Sequence, residues 1–410
     1  MRLKHINKSM RIKQIIEHEV FSKEEIGSAF SELEEFAKKN SQILSYTFDG
    51  KLKANQFVGV IETKSGFVLE ILPKVAKEND YEKSKEIFLK MLKTLKNSPF
   101  KKLKNTNLKS LKNYPLLEVF IKLFIDEVDL IVKKGIKSSY IKKEENQNYL
   151  KGKLKLNRHL QKNFIHKERF FIEFEEYLPN IVYNQILKTT IKRLYKISKS
   201  FKNQQALREF LYIFDGVDEV KNIKSSFDKL VLNRTLKYYE NALNLSKIFL
   251  LNQSLVPYRG KNIAFALLFD MNRLFEDFIA YYLKKNYKLN LKTQDKTHYL
   301  AYQNSSGKFR LIPDIIIDNG KIILDTKWKL IKNQKDISQS DIYQLYAYGT
   351  KYKSCNKLFL VYPKYSDIKI EKFDFGLEKD VELEILFFDL VNLKLEGFKK
   401  EDAFKYGIIK

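Results

Sequence analysis

Two aspartates and a lysine, Asp314, Asp325 and Lys327, share the stretch FRLIPDIIIDNGKIILDTKWK at 309–329. Within it Asn319-Gly320 separates two β-rich runs, and Asn-Gly is the strongest short hairpin signal because both positions accept the positive φ of a type I′ turn. If Asp318 pairs with Lys321, Ile317 faces Ile322, Ile315 faces Leu324 and Leu311 faces Trp328, which makes one core face. On the other face the same register sets Asp314 opposite Asp325 and Ile316 opposite Ile323, with Lys327 one alternation further on. Directly opposed residues lie about 4.5–5.5 Å apart at Cβ, and like charges in that relation destabilise a sheet. A divalent cation with oxygen preference would relieve the repulsion and create a catalytic centre, with Lys327 beside it to hold a water or meet charge on a phosphate. The competing reading is a pair of ordinary polar residues on a solvated face, since P-D followed by D-x-K is short enough to arise by chance.

The elements needed to position these groups are legible as apolar periodicity. Strands are expected at 309–318, 321–328 and 357–362, with a helix at about 339–350 in which Gln344 and Tyr348, four apart, share one face. A helix is expected from Ala264 to about Lys284. Near the N-terminus, residues 55–75 predict a hairpin with its turn at Ser65-Gly66, ended by Pro73, and Tyr81–Leu95 predict a helix. Three-to-four-residue spacing over Leu116–Val132, Asn180–Ile197, Gln204–Phe214 and Leu230–Leu250 makes the middle of the chain mainly helical. Basic residues Lys153, Lys155, Arg158 and His159 cluster at 151–164, and a lysine-rich stretch runs from Lys96 to Lys112; each reads as a solvated basic segment or a phosphate-facing one.

With 410 residues the chain is long enough for two or three domains. The expectation is a multidomain α+β protein: an N-terminal β-containing region at 1–115, a basic helical region at 116–256 and a C-terminal domain at 257–410, the last boundary drawn at Val256-Pro257 to Lys261. Lys+Arg number 76 against 50 Asp+Glu, a formal charge of +26 that draws polyanions, nucleic acid first among them. The excess is mostly lysine, so an AT-rich genome is a rival explanation. A single cysteine, Cys355, excludes an intramolecular disulfide and a cysteine-rich zinc site. The charged N-terminus and the lack of an apolar run of about 18 residues predict a cytoplasmic protein with no membrane segment. There is no G-x-x-x-x-G-K-[ST] loop, so nucleotide hydrolysis by that route is excluded.

Pro313-Asp314, Asp325 and Lys327 match the PD-(D/E)xK nuclease pattern, and ILDTKWK resembles the McrC family, the nuclease subunit of modified-cytosine (McrBC-type) restriction systems. FDMNRLFEDF at 269–278 looks like that family's helix with an early acidic residue, matched by Glu276, and DIYQLYAYG is similar to the Gln-Tyr helix of RecB-type nucleases. LFLVYP at 358–363 fits the strand that follows, and VGVI, ILPK and GKLKLNRHLQKN resemble family landmarks further upstream. The resemblance implies a restriction-endonuclease-like C-terminal α/β domain, a mixed central sheet flanked by helices, that hydrolyses DNA phosphodiesters. It further implies Mg²⁺, with Mn²⁺ as a substitute, held by Asp314, Asp325, the Thr326 carbonyl and Glu276. Lys327 would place the attacking water, and Gln344 or Tyr348 would orient the DNA backbone. The implied partners are modified double-stranded DNA and a separate McrB-like AAA+ GTPase ring, which this chain would dock on through its N-terminal half and stimulate. The rival functions are a self-sufficient nuclease of repair or another restriction type, and an inactive DNA-binding protein of the same fold.

Overall fold

The computed structural model describes residues 12–75, 80–95, 99–102, 114–251, 263–368, 370–376 and 381–398. The chain forms two compact units, Met1–Tyr114 together with Ser254–Lys410, and Pro115–Gln253. Where three consecutive regions were expected, the first and third are one body. The reason is a strand: Ile263–Asp270 pairs antiparallel with Phe57–Thr63 and completes a four-stranded sheet with Val68–Leu72 and Ile12–Ile16. The expected boundary at 256–261 and most of the lysine-rich stretch, 96–98 and 103–112, lie outside the described residues.

The hairpin read from residues 55–75 is present, as Phe57–Thr63 against Val68–Leu72, and both strands are buried on both faces. Gly59 lets the neighbouring strand approach: its φ is +139°, and a Cβ there would stand 2.0 Å from the Leu267 carbonyl oxygen. Gly59→Ala should therefore break the pairing with Ile263–Asp270, giving insoluble protein or a loss of about 3 kcal/mol or more in urea denaturation. The helix Tyr81–Leu92 follows, its first turn capped by the Asp80 carboxylate on the Lys83 N–H at 2.9 Å. One of its lysines, Lys85, is buried 3.2 Å from the equally buried Glu70 carboxylate.

The helix expected from Ala264 begins later. Residues Ile263–Asp270 are strand, because Phe57–Thr63 offers them an antiparallel ladder and IAFALLFD is apolar enough to be buried there. Asp270 then caps the helix Met271–Tyr287 by accepting the Asn272 N–H at 2.9 Å.

Beside a small three-stranded sheet of Val20–Phe21, Leu52–Ala54 and Leu44–Tyr46 and a two-stranded ribbon, this unit also holds, among the described residues, a seven-stranded mixed sheet. Its centre is parallel: Ile322–Thr326, Lys357–Pro363 and Glu382–Asp389 lie side by side. On one face Ile316, Ile323, Leu358 and Leu360 pack under Leu345 and Tyr348 of the helix Gln339–Lys351. On the other, Phe275 of the upstream helix sits edge-on to Trp328 at 5.4 Å between ring centroids, and Phe278 meets Phe388 at the same distance. Burial on both faces is why the central strands read as continuous apolar runs rather than alternating ones.

In the second unit, the stretch expected from Leu230 is a 3-10 helix at Arg234–Tyr239 and an α-helix only from Glu240 to Leu251. Helices Leu116–Lys134, Val182–Ile197 and Phe201–Ile213 agree with the expected periodicity. A three-stranded sheet, Ser139–Gln147, Phe170–Leu178 and Lys153–Leu154, does not. SYIKKEENQ is polar on both faces and gives no alternation to detect. Of the basic cluster, Lys155 pairs with Glu173 at 2.6 Å and Glu144 at 3.3 Å, and Arg158 pairs with Glu144. Those cations are neutralised within the unit. No helix among the described residues is long and apolar enough to cross a membrane.

Candidate active site

The hairpin that builds the site has the register its turn dictates. Ile317 faces Ile322, Ile316 faces Ile323 and Ile315 faces Leu324. Asn319 (φ 53°, ψ 31°) and Gly320 (φ 93°) have the handedness of a type I′ turn, closed by the Lys321 N–H on the Asp318 carbonyl. The expected strand 309–318 is shorter, however. Only Ile315–Ile317 pair with Ile322–Thr326, while Ser306–Arg310 belong to a separate ribbon with Tyr299–Gln303. The expected pairing of Leu311 with Trp328 is not made: the Leu311 N–H goes to the His298 carbonyl and the Trp328 N–H to Asn272 Oδ1. Pro313, which has no N–H to give a ladder, lies just before the point where pairing starts.

Asp314 therefore lies one residue beyond the ladder, where its backbone carbonyl accepts the Gln294 N–H instead. Its carboxylate Oδ2 accepts from the Thr326 N–H at 2.8 Å and the Thr326 hydroxyl at 2.7 Å. Asp325 is 1% exposed. Its Oδ1 accepts from Gln344 Nε2 at 3.3 Å, and its Oδ2 lies 2.6 Å from Lys327 Nζ. The buried Oδ2 has this ammonium as its ion-pair partner. Lys327 Nζ also donates to Gln344 Oε1 at 3.0 Å.

The electrostatics follow from this crowding. Burial, with the Asp314 charge added, pushes the Asp325 carboxyl up to about 7, while Lys327 pulls the other way. Burial also raises Asp314, against the Thr326 hydrogen bonds and Lys327. For Lys327 burial favours the neutral amine, but the carboxylates of Asp325, Asp314 and Asp341 outweigh it and hold the ammonium charged. The two acids thus sit at the carboxyl end of a parallel strand with one cation between them and the downstream helix, at the kind of crevice where open α/β sheets bind ligands.

A cleft of about 570 Å³ opens in front of them, lined by Glu276, Asp314, Thr326 and Lys327 together with Gln294 and Lys296. Glu276 faces Asp314 across this space, and its Oε1 accepts from Gln294 Nε2 at 2.8 Å. Gln344 and Tyr348 stand behind. The Gln344 amide bridges Asp325, Lys327 and the Tyr348 hydroxyl, and that hydroxyl donates to the Ile312 carbonyl at 3.1 Å. Tyr348 is 2% exposed, so it cannot make the expected contact with a DNA backbone. It holds Gln344, and Gln344 holds the lysine.

The donor set suits a hard cation in kind: two carboxylates, one of them with a buried oxygen met by the Lys327 ammonium, and the neighbouring Thr326 carbonyl. Among the described residues no three His, Cys, Asp or Glu side chains are gathered closely enough to hold a metal ion by themselves, so Glu276 does not close a three-carboxylate set with Asp314 and Asp325. The residues present fit an ion such as Mg²⁺ that keeps several waters and completes its shell with substrate phosphate, rather than one held in an all-protein cage.

Several contributors escaped sequence reading. Asn272, which fixes the Trp328 backbone, and Arg273 and Asp277, which line the cleft, are polar positions between the buried apolar residues of the upstream helix. Their spacing with Glu276 was the one signal that pointed to them. Glu17 had none: its Oε1 accepts from Trp328 Nε1 at 2.8 Å and from the Lys74 N–H at 2.7 Å, tying the residue beside Lys327 to the N-terminal sheet. Burial pushes the Glu17 carboxyl up to about 7 against those two hydrogen bonds. Trp328→Phe should cost about 1–3 kcal/mol in urea denaturation near pH 8. The cost should shrink near pH 5, where Glu17 is protonated in both proteins; a pH-independent loss would mean that only packing was removed.

An α+β chain whose mixed sheet presents one buried and one half-buried acid and a lysine at a strand's carboxyl end is thus the class defined by fold and site. The sequence matches the McrBC 5-methylcytosine restriction system component family over residues 52–363, and the chain belongs to that family. No curated protein matches it. Among solved structures it is similar to a chain of the refined half-complex from the tetradecameric assembly of Thermococcus gammatolerans McrB AAA+ hexamers with bound McrC. That match has 20% identity and a TM-score of 0.69 and covers 96% of this chain and 98% of the other. A chain of the Thermococcus gammatolerans McrBC complex is also similar, at 22% identity and a TM-score of 0.51, over 67% of this chain and 88% of that one.

Proposed function

We propose that this chain is the DNA-cutting subunit of its restriction system, a Mg²⁺-dependent endonuclease of the PD-(D/E)xK type that works with a separate AAA+ GTPase. The observation that carries the reading is the cluster of Asp314, Asp325, Lys327 and Gln344 beside a cleft that also presents Glu276, in a member of the McrBC family. Asp314, Asp325 and the Thr326 carbonyl would hold the cation, with Glu276 from across the cleft. When bound, Mg²⁺ supplies a Lewis acid for the scissile phosphate and lowers the pKa of water.

The protein's own residues do the rest. Ionised Asp314 and Asp325 give the negative site that a cation replaces a proton to enter. Lys327, kept charged by those acids and aimed by Gln344 Oε1, meets the charge that grows on the phosphoryl oxygens and holds the attacking water by a hydrogen bond. As the water oxygen bonds to phosphorus and gives up a proton to solvent, the opposite P–O ester bond breaks and the departing oxygen takes a proton from solvent. Gln344 and Tyr348 act through Lys327 and Asp325 and need not touch DNA.

The solved relatives are described as McrB AAA+ hexamers with bound McrC, and we assign this chain the corresponding place on a GTPase ring, acting in the cytoplasm. Methylated and unmethylated plasmid should be incubated with the chain, with and without the AAA+ product of the adjoining gene, GTP and Mg²⁺. Cleavage only when all components are present, together with co-purification of the two proteins, supports the reading. Full cleavage by the chain alone, with no association, would replace it with that of a self-sufficient nuclease.

A further inference from the structure

A second groove of about 1130 Å³ runs on from the cleft, and the two share Asp277, Gln294 and Lys296 in their walls. Lys284 and Lys285 from the last turn of the upstream helix line it, with Lys292 and Lys296 from the following segment, and all four are exposed. Some exposed lysines elsewhere are paired, as Lys51 with Asp49, Lys122 with Asp126, Lys133 with Asp129 and Lys321 with Asp318. Lys284, Lys285, Lys292 and Lys296 make no ion pair among the described residues. Two acids, Asp277 and Asp295, share the groove walls with these four and Lys93, so the lining carries five lysines against two aspartates. Asp295 is engaged by the Thr297 and Tyr352 hydroxyls, and those hydrogen bonds, against burial, hold its carboxyl low. The half-exposed Tyr281 ring on the groove wall has the Lys285 ammonium 5.7 Å from its centroid.

Complementing the helix dipole accounts for Lys284 and Lys285 alone. It does not account for Lys292 and Lys296, which come from another element and point their charge into the same groove. Unpaired ammonium groups along a concave path that ends beside paired carboxylates are what a polyanion needs to be drawn past a site that would otherwise repel it.

We propose that this groove carries the sugar–phosphate backbone of the DNA strand on its way to the cleft, with Lys284, Lys285 and Lys292 as phosphate contacts. The assignment rests on the nuclease reading for the direction of travel, yet it is tested by binding and not by cutting. The full chain is titrated with a short fluorescein-labelled DNA duplex in chelator over a series of salt concentrations, as wild type, as Lys284→Ala/Lys285→Ala/Lys292→Ala, and as Lys51→Ala.

In the triple variant the slope of log K against log salt should fall by about 0.9 for each lysine removed. Lys51→Ala, which also removes a positive charge, should leave the slope unchanged, and all three proteins should melt alike because the altered side chains are exposed. With Mg²⁺ under cleaving conditions the triple variant should raise KM and keep kcat. A slope unchanged in the triple variant, an equal change in Lys51→Ala, or a wild type that binds no duplex at low salt overturns the groove. A chain that shows the predicted slopes but never cuts in any metal keeps the groove and loses the nuclease reading.

Discussion

Asp325→Asn and Lys327→Ala should each lower DNA cleavage by about 10³-fold or more while the protein still folds and binds DNA. In the proposed mechanism each variant removes a group that meets the reacting phosphate or its cation. Neither opens a large cavity, since Asn matches Asp in size and the Lys327 side chain is 26% exposed. Gln344→Ala should lose less, about tenfold, because Gln344 acts by aiming Lys327, and Gln344→Glu should not restore it because a carboxylate cannot donate to Asp325. The measurements are plasmid nicking rates, thermal melting and duplex binding. Asp325→Asn cutting within tenfold of wild type would sink the catalytic assignment, and insoluble protein from both variants would point to a structural role.

Asp325→Asn should also make the protein more stable, not less, near pH 8 in chelator. The carboxyl is raised from 3.8 to about 7, by burial first and Asp314 second. A raised acid favours the folded state fully below its unfolded pKa, and that contribution is lost as pH rises through the folded pKa. Wild-type stability should therefore fall between about pH 4 and pH 7 by a few kcal/mol, because each tenfold change in proton affinity is worth about 1.4 kcal/mol, and the variant should lack that part of the decline. Mg²⁺ near pH 8 should raise the wild-type melting temperature by several degrees by binding the ionised acids, and the variant's far less. Parallel pH profiles in the two proteins, or equal Mg²⁺ effects on melting, would show that Asp325 is not the group under strain.

Much of the site's frame was legible because its causes are local. Asn319-Gly320 dictates a hairpin, and the hairpin dictates that Ile315 meets Leu324, which is the observed pairing. Helical spacing puts Gln344 beneath Tyr348, and their side chains do meet. The misreadings arise where local pattern is silent. IAFALLFD is equally apolar as strand or buried helix, and only the partner strand at Phe57–Thr63 decides it. SYIKKEENQ has no face to recognise until Phe170–Leu178 lies beside it.

The sequence by itself determined the chemical groups and the register that gathers them, because turn conformation and side-chain alternation are properties of a few adjacent residues. It also determined a charge that favours a polyanion. Only the tertiary structure decided that the first and third parts of the chain make one body, that Glu17 holds Trp328, and that Tyr348 faces inward. It alone decided that Asp325 is buried deeply enough to titrate near neutrality. Burial and desolvation depend on what distant segments bring to a site, and no local pattern of residues records that.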